Sequence, residues 1–164
     1  METKKTTFII LAVLFVSVIG IMTARTFSDK RSGSLSFADG NAMVANLYKS
    51  PMCGCCGVYS SYIKDDEYAL NIEDIEDMSI IKKRFGVPVE LESCHTTEID
   101  GYVVEGHIPK EAIQKLLTER PDIKGIGMAG MPMGSPGMPG RKAGDFVIYE
   151  ITRDGTQGEV FATL

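Results

Sequence analysis

The sequence lacks a surplus of positive charge and lacks internal repeats. Its 17 lysines and arginines are outnumbered by 22 aspartates and glutamates, and the net charge is −5. Nucleic-acid binding normally leaves a basic footprint, so this class of function is disfavoured. The 164 residues are 44% hydrophobic and 24% charged, which is ordinary globular composition. One domain is therefore predicted.

Long hydrophobic runs are scarce, and the prominent one lies at the N-terminus. Residues 8–22 carry no charge and follow Lys4 and Lys5. About 15 apolar residues are fewer than the ~20 that span a bilayer comfortably, and the pattern is typical of a secretory signal. A clean A-x-A cleavage site is missing. Residues 1–25 are therefore either a cleaved signal peptide or a membrane anchor over residues 6–24, and both predict an exported, periplasmic domain.

The remaining chain predicts a linker and one folded domain. Residues 26–42 are rich in Ser, Gly and charge, as linkers are, which leaves residues 43–164 for the domain. The predicted elements are a strand (43–50), a helix (58–67), a strand (68–76), a helix (78–86), strands within 89–99 and 102–106, a helix (110–120), a Gly/Pro/Met loop (125–140) and a hairpin of 145–151 with 159–164.

A strand, a C-x-x-C at the following turn and a helix leading away form the layout of a thioredoxin-like domain. The predicted fold is therefore an α/β, thioredoxin-like sandwich. Its two hairpins make the sheet mixed. The order of the strands in that sheet does not follow from the sequence.

Three of the four cysteines lie within four positions: Cys53, Cys55 and Cys56. Cys53 and Cys56 form a C-x-x-C, and a helix start at Cys53 would favour its thiolate. A thiolate is both a nucleophile and a metal ligand, so a redox dithiol and a soft-metal site both remain open. An exchanger needs only two thiols. Cys55 is therefore either an additional ligand or a small buried hydrophobe.

The fourth cysteine, Cys94, is adjacent to one of the two histidines. In a thioredoxin-like layout Cys94 approaches the first cysteine cluster; alternatively it faces the core. Neighbouring strand residues point to opposite faces, so Cys94 and His95 share an ion only if the backbone turns between them. This weakens a Cys₃His zinc site. His107 is a ligand, a proton shuttle or part of the helix entry, and the last is favoured.

Four of the nine methionines lie in the Gly-rich loop: Met128, Met131, Met133 and Met138. Thioethers are soft ligands that suit Cu(I), although methionines also fill gaps in cores. No single methionine is assigned a role. Thiolates, imidazoles and thioethers together favour copper over zinc.

Four segments resemble the CopG-type copper-resistance proteins, a family long catalogued as a domain of unknown function. They are YKSPMCGCCGVYSSYI, RFGVPVELESCHTTEIDGYVVEGHIPKEAIQKLL, ERPDIKGIGMAGMPMGSPGMPG and FVIYEI, and the resemblance runs over residues 45–162. It implies a thioredoxin-like fold, export and copper handling with interconversion of Cu(I) and Cu(II). The metal-site residues that it implies are Cys53, Cys55, Cys56, Cys94, His95 and His107.

Three hypotheses follow. The first is an exported copper-binding protein that holds Cu(I) through its cysteines and contributes to copper resistance, with copper-handling or redox proteins of the envelope as partners. The second is a thiol–disulfide oxidoreductase with Cys53 and Cys56 as catalytic residues, in which Cys53 attacks and Cys56 resolves. The third is a non-catalytic domain held by two disulfides. Whether the thiol or copper site turns over as an oxidoreductase stays open.

Overall fold

The computed structural model describes residues 42–65 and 67–164. The predicted export segment and nearly all of the predicted linker lie outside the described residues. The strands are β1 (Met43–Lys49), β2 (Tyr68–Asp74), β3 (His95–Ile99), β4 (Tyr102–Glu105), β5 (Gly125–Gly127), β6 (Val147–Ile151) and β7 (Gln157–Thr163), and the helices are α1 (Gly54–Ile63), α2 (Met78–Phe85), α3 (Lys110–Glu119) and a 3₁₀ turn (Val89–Leu91). Among these described residues, no helix has the length and hydropathy needed to cross a bilayer.

The seven strands form one sheet in the order β2-β1-β3-β4-β5-β6-β7. The pairs β1–β2 and β4–β5 are parallel, whereas the other four neighbouring pairs are antiparallel. The predicted mixed α/β architecture is thereby confirmed. Because β3 runs antiparallel beside β1, its first residue, His95, pairs with the last residue of β1, Lys49. The chain that leaves β1 and the chain that enters β3 therefore meet at one end of the sheet.

The bounds predicted for the first helix are wrong at both ends. The helix begins at Gly54, inside the cysteine motif, and ends at Ile63. The chain then turns directly into β2, because the Asp65 carboxylate accepts hydrogen bonds from the backbone N–H groups of Glu67 (2.9 Å) and Tyr68 (3.1 Å). Such a turn offers the backbone an alternative to further helix.

Local signals placed the second helix and the central hairpin correctly. The Asp77 carboxylate accepts from Ser79 N at 3.0 Å and caps α2, and Gly86 ends this helix in the left-handed region with φ +63°. Asp100 and Gly101 join β3 to β4, both with positive φ. Helix caps and tight turns depend on a few neighbouring residues, so they can be predicted from a single sequence.

The strand β5 was missed by the sequence prediction, which assigned residues 125–140 to a loop. Gly125–Gly127 pairs in parallel with β4 in the middle of the sheet. A Cβ atom on Gly125 would lie only 1.9 Å from the carbonyl oxygen of Val103. The close approach of two backbones therefore requires glycine here, and a three-residue strand with two glycines carries no recognisable strand pattern.

The main hydrophobic core lies between this sheet and residues from two of the helices. Tyr59 and Ile63 of α1 and Leu116 of α3 are buried in it. They pack with buried residues of the central strands, among them Leu47, Val104, Ile126 and Ile148. This packing fixes α1, and with it the cysteine motif at the start of α1, against the sheet.

Candidate metal centre

The cysteine motif occupies the start of α1. Cys53 is the N-cap residue, and Cys56 is fully buried in the first helical turn. Cys53 and Cys56 form a disulfide, while Cys55 and Cys94 are free. The alternative of a domain held by two disulfides is therefore wrong for this structure. With its sulfur in a disulfide, Cys53 has no thiol to ionise, so the helix-dipole effect expected there applies only to the reduced protein.

The structure brings Cys94 to this motif. The Cys94 Sγ lies 3.8 Å from the Cys55 Sγ, which in turn lies 3.4 Å from the Cys53 Sγ. The Cys56 Sγ lies 3.7 Å from the carbonyl oxygen of Cys94. The pairing of β1 with β3 causes this meeting, because it sets the approach to β3 beside the exit from β1. All four cysteines therefore share one place in the fold.

Both histidines contact Cys94. The Cys94 Sγ lies 2.9 Å from His107 Nε2 and 3.5 Å from His95 Nδ1. The expected alternation of side chains does not separate Cys94 from His95, because Cys94 lies in a bend just before β3 rather than within the strand. His107, which the sequence favoured as part of the helix entry, is fully buried with its ring at Cys94.

The tautomer of His107 follows from its second partner. The His107 Nδ1 lies 2.7 Å from the carbonyl oxygen of Pro136, which can only accept a hydrogen bond. The proton is therefore on Nδ1, and the lone pair of Nε2 faces the Cys94 sulfur. A backbone acceptor behind a histidine is the usual arrangement that orients an imidazole for a metal.

Two overlapping groups of donor atoms result. One consists of Cys53, Cys55, Cys56 and Cys94, and the other of Cys94, His95 and His107; within each group the ligand atoms lie within 4.8 Å of one another. Cys94 belongs to both groups. In addition, the Nε2 of buried His95 has no hydrogen-bond partner among the described residues. Sulfur and imidazole donors so close together fit a soft or borderline transition-metal ion.

Burial keeps the second group uncharged in this oxidised form. Burial lowers the pKa of His95 to about 3, assisted by the nearby His107 and Lys82, and burial also lowers the pKa of His107. Burial, followed by the charge of Cys55, raises the pKa of the Cys94 thiol to about 12. A cation that binds here therefore has to displace the Cys94 proton, so that binding releases a proton.

A buried ion pair beneath the site was not predicted from the sequence. The fully buried Glu105 pairs with Lys82, which is 6% exposed. The Glu105 carboxylate also accepts from Ser93 N and from Thr96 Oγ1, each at 2.6 Å. Burial raises the pKa of Glu105, while Lys82 and these two hydrogen bonds act in the opposite direction. The carboxylate thus holds residues 93 and 96, on either side of Cys94 and His95.

Tyr59 forms the inner wall of the site. Its ring centroid lies 4.3 Å from that of His95 and 5.5 Å from that of His107, and its hydroxyl donates to the carbonyl oxygen of Ile108 at 2.9 Å. Burial raises the pKa of Tyr59 well above its usual value. The sequence showed Tyr59 only as one residue of a helix face, since contacts with residues 95 and 107 depend on the tertiary fold.

The methionines of the loop divide into different roles. Met128 is 2% exposed and belongs to the core, whereas Met133 is 62% exposed. Met131 is half exposed, and its Sδ lies 4.0 Å from the Cys55 Sγ. The loop that carries Met131 therefore lies over the cysteine motif.

These features define a mixed α/β domain with a cluster of thiols and imidazoles suited to a metal. The family model described as "Protein of unknown function, DUF411" matches residues 91–138, which include Cys94, His95 and His107. No curated protein sequence matches the chain.

Two solved structures, titled "Copper resistance protein copG" form 1 and form 2, are similar to the chain. Each is 36% identical in sequence and covers 76% of this chain; the shares covered of their own chains are 98% and 99%, with TM-scores of 0.68 and 0.69. The chain therefore belongs to the CopG family, and the resemblance seen in the sequence is confirmed.

Proposed function

We propose that this chain is an exported copper-binding protein that holds Cu(I) through Cys53, Cys55, Cys56 and Cys94 and contributes to copper resistance. The observation that carries the proposal is the meeting of four cysteines and two imidazoles in two donor groups that share Cys94. The titles of the two similar structures, which name a copper-resistance protein, support copper as the ion.

The donor chemistry is compatible with copper. Thiolates favour Cu(I), and imidazoles accommodate Cu(II) as well. The four-cysteine group is therefore assigned to Cu(I), and His95 and His107 complete or tune the site. A four-cysteine set also suits zinc, so the choice of copper rests on the titles of the two similar structures.

Loading the four-cysteine group requires reduction of the Cys53–Cys56 disulfide. This reduction takes two electrons and two protons and yields two thiols, each of which releases a proton when it binds an ion. Oxidation of two Cu(I) ions to Cu(II) supplies two electrons, so the disulfide and copper can exchange electrons in balance. We infer that the protein interconverts Cu(I) and Cu(II) in this way.

Anaerobic titration of the reduced protein with Cu(I), against a competing chelator, tests the binding. We expect saturable, tight binding. The double variant Cys53→Ser/Cys56→Ser should bind more than about 100-fold more weakly, because loss of an outer-shell partner alone costs roughly 10–100-fold. The variant Ser61→Ala, which changes an exposed residue of the same helix, serves as the matched control. Equal affinities for the wild type and the double variant would refute the proposal.

The redox inference has its own test. Oxidised protein mixed anaerobically with Cu(I) should show the paramagnetic resonance signal of Cu(II), and its free thiols should rise from the two of Cys55 and Cys94 to four. A Cu(II) signal without new thiols, or no signal at all, would contradict electron exchange between copper and the disulfide.

The Cys53–Cys56 disulfide favours a second candidate function, that of a thiol–disulfide oxidoreductase. Cys53 would attack a substrate disulfide and Cys56 would resolve the mixed disulfide, leaving Cys55 outside the reaction. Insulin reduction that is lost in Cys53→Ser and retained in Cys55→Ala would support this function. Tight Cu(I) binding that is lost in Cys55→Ala would support the copper site instead.

We also propose that the domain over residues 43–164 is thioredoxin-like and lies in the periplasm. A strand followed by a C-x-x-C at the start of a helix supports the fold assignment. Residues 1–25 would serve as a signal peptide or anchor, with residues 26–42 as a linker. Fractionation of cells with mass spectrometry of the mature N-terminus distinguishes a released protein from a tethered one, and a cytoplasmic protein would refute export.

A further inference from the structure

Met131 places a thioether against the cysteine that is free at the start of α1. Its Sδ lies 4.0 Å from the Cys55 Sγ, and the Cys94 Sγ lies 3.8 Å from the same Cys55 atom. Neither Cys55 nor Cys94 takes part in the disulfide. Three sulfur atoms that the disulfide leaves available are therefore grouped around Cys55.

The separations of the Cys55 sulfur from the other two sulfurs match those of ligands that share one ion. With metal–sulfur bonds of about 2.3 Å, two sulfurs lie roughly 3.8 Å apart in a tetrahedral site and roughly 4.0 Å apart in a trigonal one. The two distances measured from the Cys55 Sγ are 3.8 Å and 4.0 Å. The Cys55 sulfur therefore lies at a distance from each of the other two sulfurs that a shared ion allows.

The fold imposes this position on Met131. On one side of it, the Ser93 hydroxyl donates to the carbonyl oxygen of Gly130, which ties the loop to the segment that carries Cys94. On the other side, the loop lies so close to α1 that a Cβ on Gly137 would be 3.0 Å from the carbonyl oxygen of Cys55. Because the loop is held on both sides of Met131, the Met131 thioether is set over the cysteines, with half of the side chain exposed.

We propose that Cys55, Cys94 and Met131 form a soft-metal site that persists when the Cys53–Cys56 disulfide is present and that takes one monovalent soft cation. This site rests on the proposed function, because it would give Cu(I) a place to bind on the oxidised protein before electrons pass to the disulfide. The thioether suits this role, since it is a neutral ligand that needs no deprotonation and is not consumed by formation of the disulfide.

Silver(I) is the probe for this site, because it is a soft monovalent cation that does not supply electrons to the disulfide. The oxidised protein is titrated with Ag(I) against a competing ligand. We expect one equivalent to bind in the wild type, and Met131→Leu should weaken binding by at least about tenfold, the lower end of the cost of losing even an outer-shell partner. Met133→Leu, in the same loop and 62% exposed, is the matched control and should leave the affinity unchanged.

A spectroscopic measurement separates ligation from an indirect effect. In protein labelled with ¹³C at the methionine methyl groups, Ag(I) should shift one methyl resonance strongly, and that resonance should be missing from Met131→Leu. Leucine is close to methionine in volume, so the variant keeps its packing. An unshifted Met131 methyl, or equal loss of affinity in Met131→Leu and Met133→Leu, would overturn the proposal.

The two proposals fail in different experiments. If reduced wild-type protein does not bind Cu(I) tightly, the proposed function fails. If it does, while oxidised Met131→Leu binds Ag(I) as the wild type does, only the site at Met131 is refuted. In the reduced protein all four thiols are present, so Met131→Leu should change the Cu(I) affinity less than it changes the Ag(I) affinity of the oxidised form.

Discussion

Replacing Glu105 by Gln removes the negative charge beneath the candidate metal centre while retaining the length and shape of the side chain. Glu105 is fully buried and Lys82 is 6% exposed, so the substitution leaves an ammonium group without a counter-charge in the interior. The new amide can still accept from Ser93 N and contact Thr96 Oγ1. Most of the cost is therefore electrostatic.

Removing one member of a buried ion pair costs roughly 3–5 kcal/mol, because the remaining charge is left uncompensated in the interior. We expect Glu105→Gln to lower the free energy of unfolding by about 3–5 kcal/mol. Lys82→Met should cost about as much, because it leaves the Glu105 carboxylate buried without a counter-charge.

Urea denaturation of the two single variants and of the double variant Lys82→Met/Glu105→Gln gives the coupling energy. The double variant should be more stable than either single variant, because no unpaired charge remains. Asp145→Asn is the control: Lys142 and Asp145 form an exposed pair at 3.7 Å, and its loss should cost less than about 1 kcal/mol. If Glu105→Gln and Lys82→Met each lowered the free energy of unfolding by less than Asp145→Asn, and if their effects were additive in the double variant, a stabilising buried ion pair would be refuted.

Three further predictions concern stability and are measured by urea denaturation of the metal-free protein. Asp77→Ala removes the cap on Ser79 N and should cost about 1 kcal/mol, and no loss would contradict the capping role. Gly125→Ala should cost about 3 kcal/mol or more, because its Cβ would meet the Val103 backbone, whereas Gly144→Ala, with open space around it, should cost little. Burial lowers the pKa of His95 to about 3 in the folded protein, so the neutral imidazole contributes stability above pH 6.5 that is lost as the pH falls. Between pH 7 and pH 5 the free energy of unfolding of the wild type should fall by about 2 kcal/mol more than that of His95→Gln. Parallel curves of stability against pH would contradict this.

The parts of the fold that the sequence predicted are those with local causes. Asp77 and Gly86 delimit α2 because a cap and a left-handed residue act within one turn of helix. The bounds of α1 could not be predicted in the same way. The small and sulfur-containing residues at its start have no helical pattern of their own. The helix α1 buries Cys56 and Tyr59, and Tyr59 packs in the core against the sheet.

The order of the strands could not be predicted from the sequence, and the candidate site depends on that order. The pairing of Lys49 with His95 is a contact between residues far apart in the sequence, and it alone sets the approach to β3 beside the cysteine motif. The sequence therefore identified the cysteines and histidines as candidates but left open whether they meet.

The orientation of Cys94 and His95 shows why the rest of the site needed the tertiary structure. Within a regular strand, two adjacent side chains face opposite ways. Here Ser93 and Thr96 are both held by one buried carboxylate, that of Glu105, so the segment between them bends before β3 begins. In the sequence Glu105 is an ordinary glutamate in a strand, and its charge would argue against burial. Its role arises only because Lys82, from a separate helix, neutralises it in the interior. The loss of that neutralisation in Glu105→Gln or Lys82→Met should therefore disturb the candidate metal centre as well as the fold.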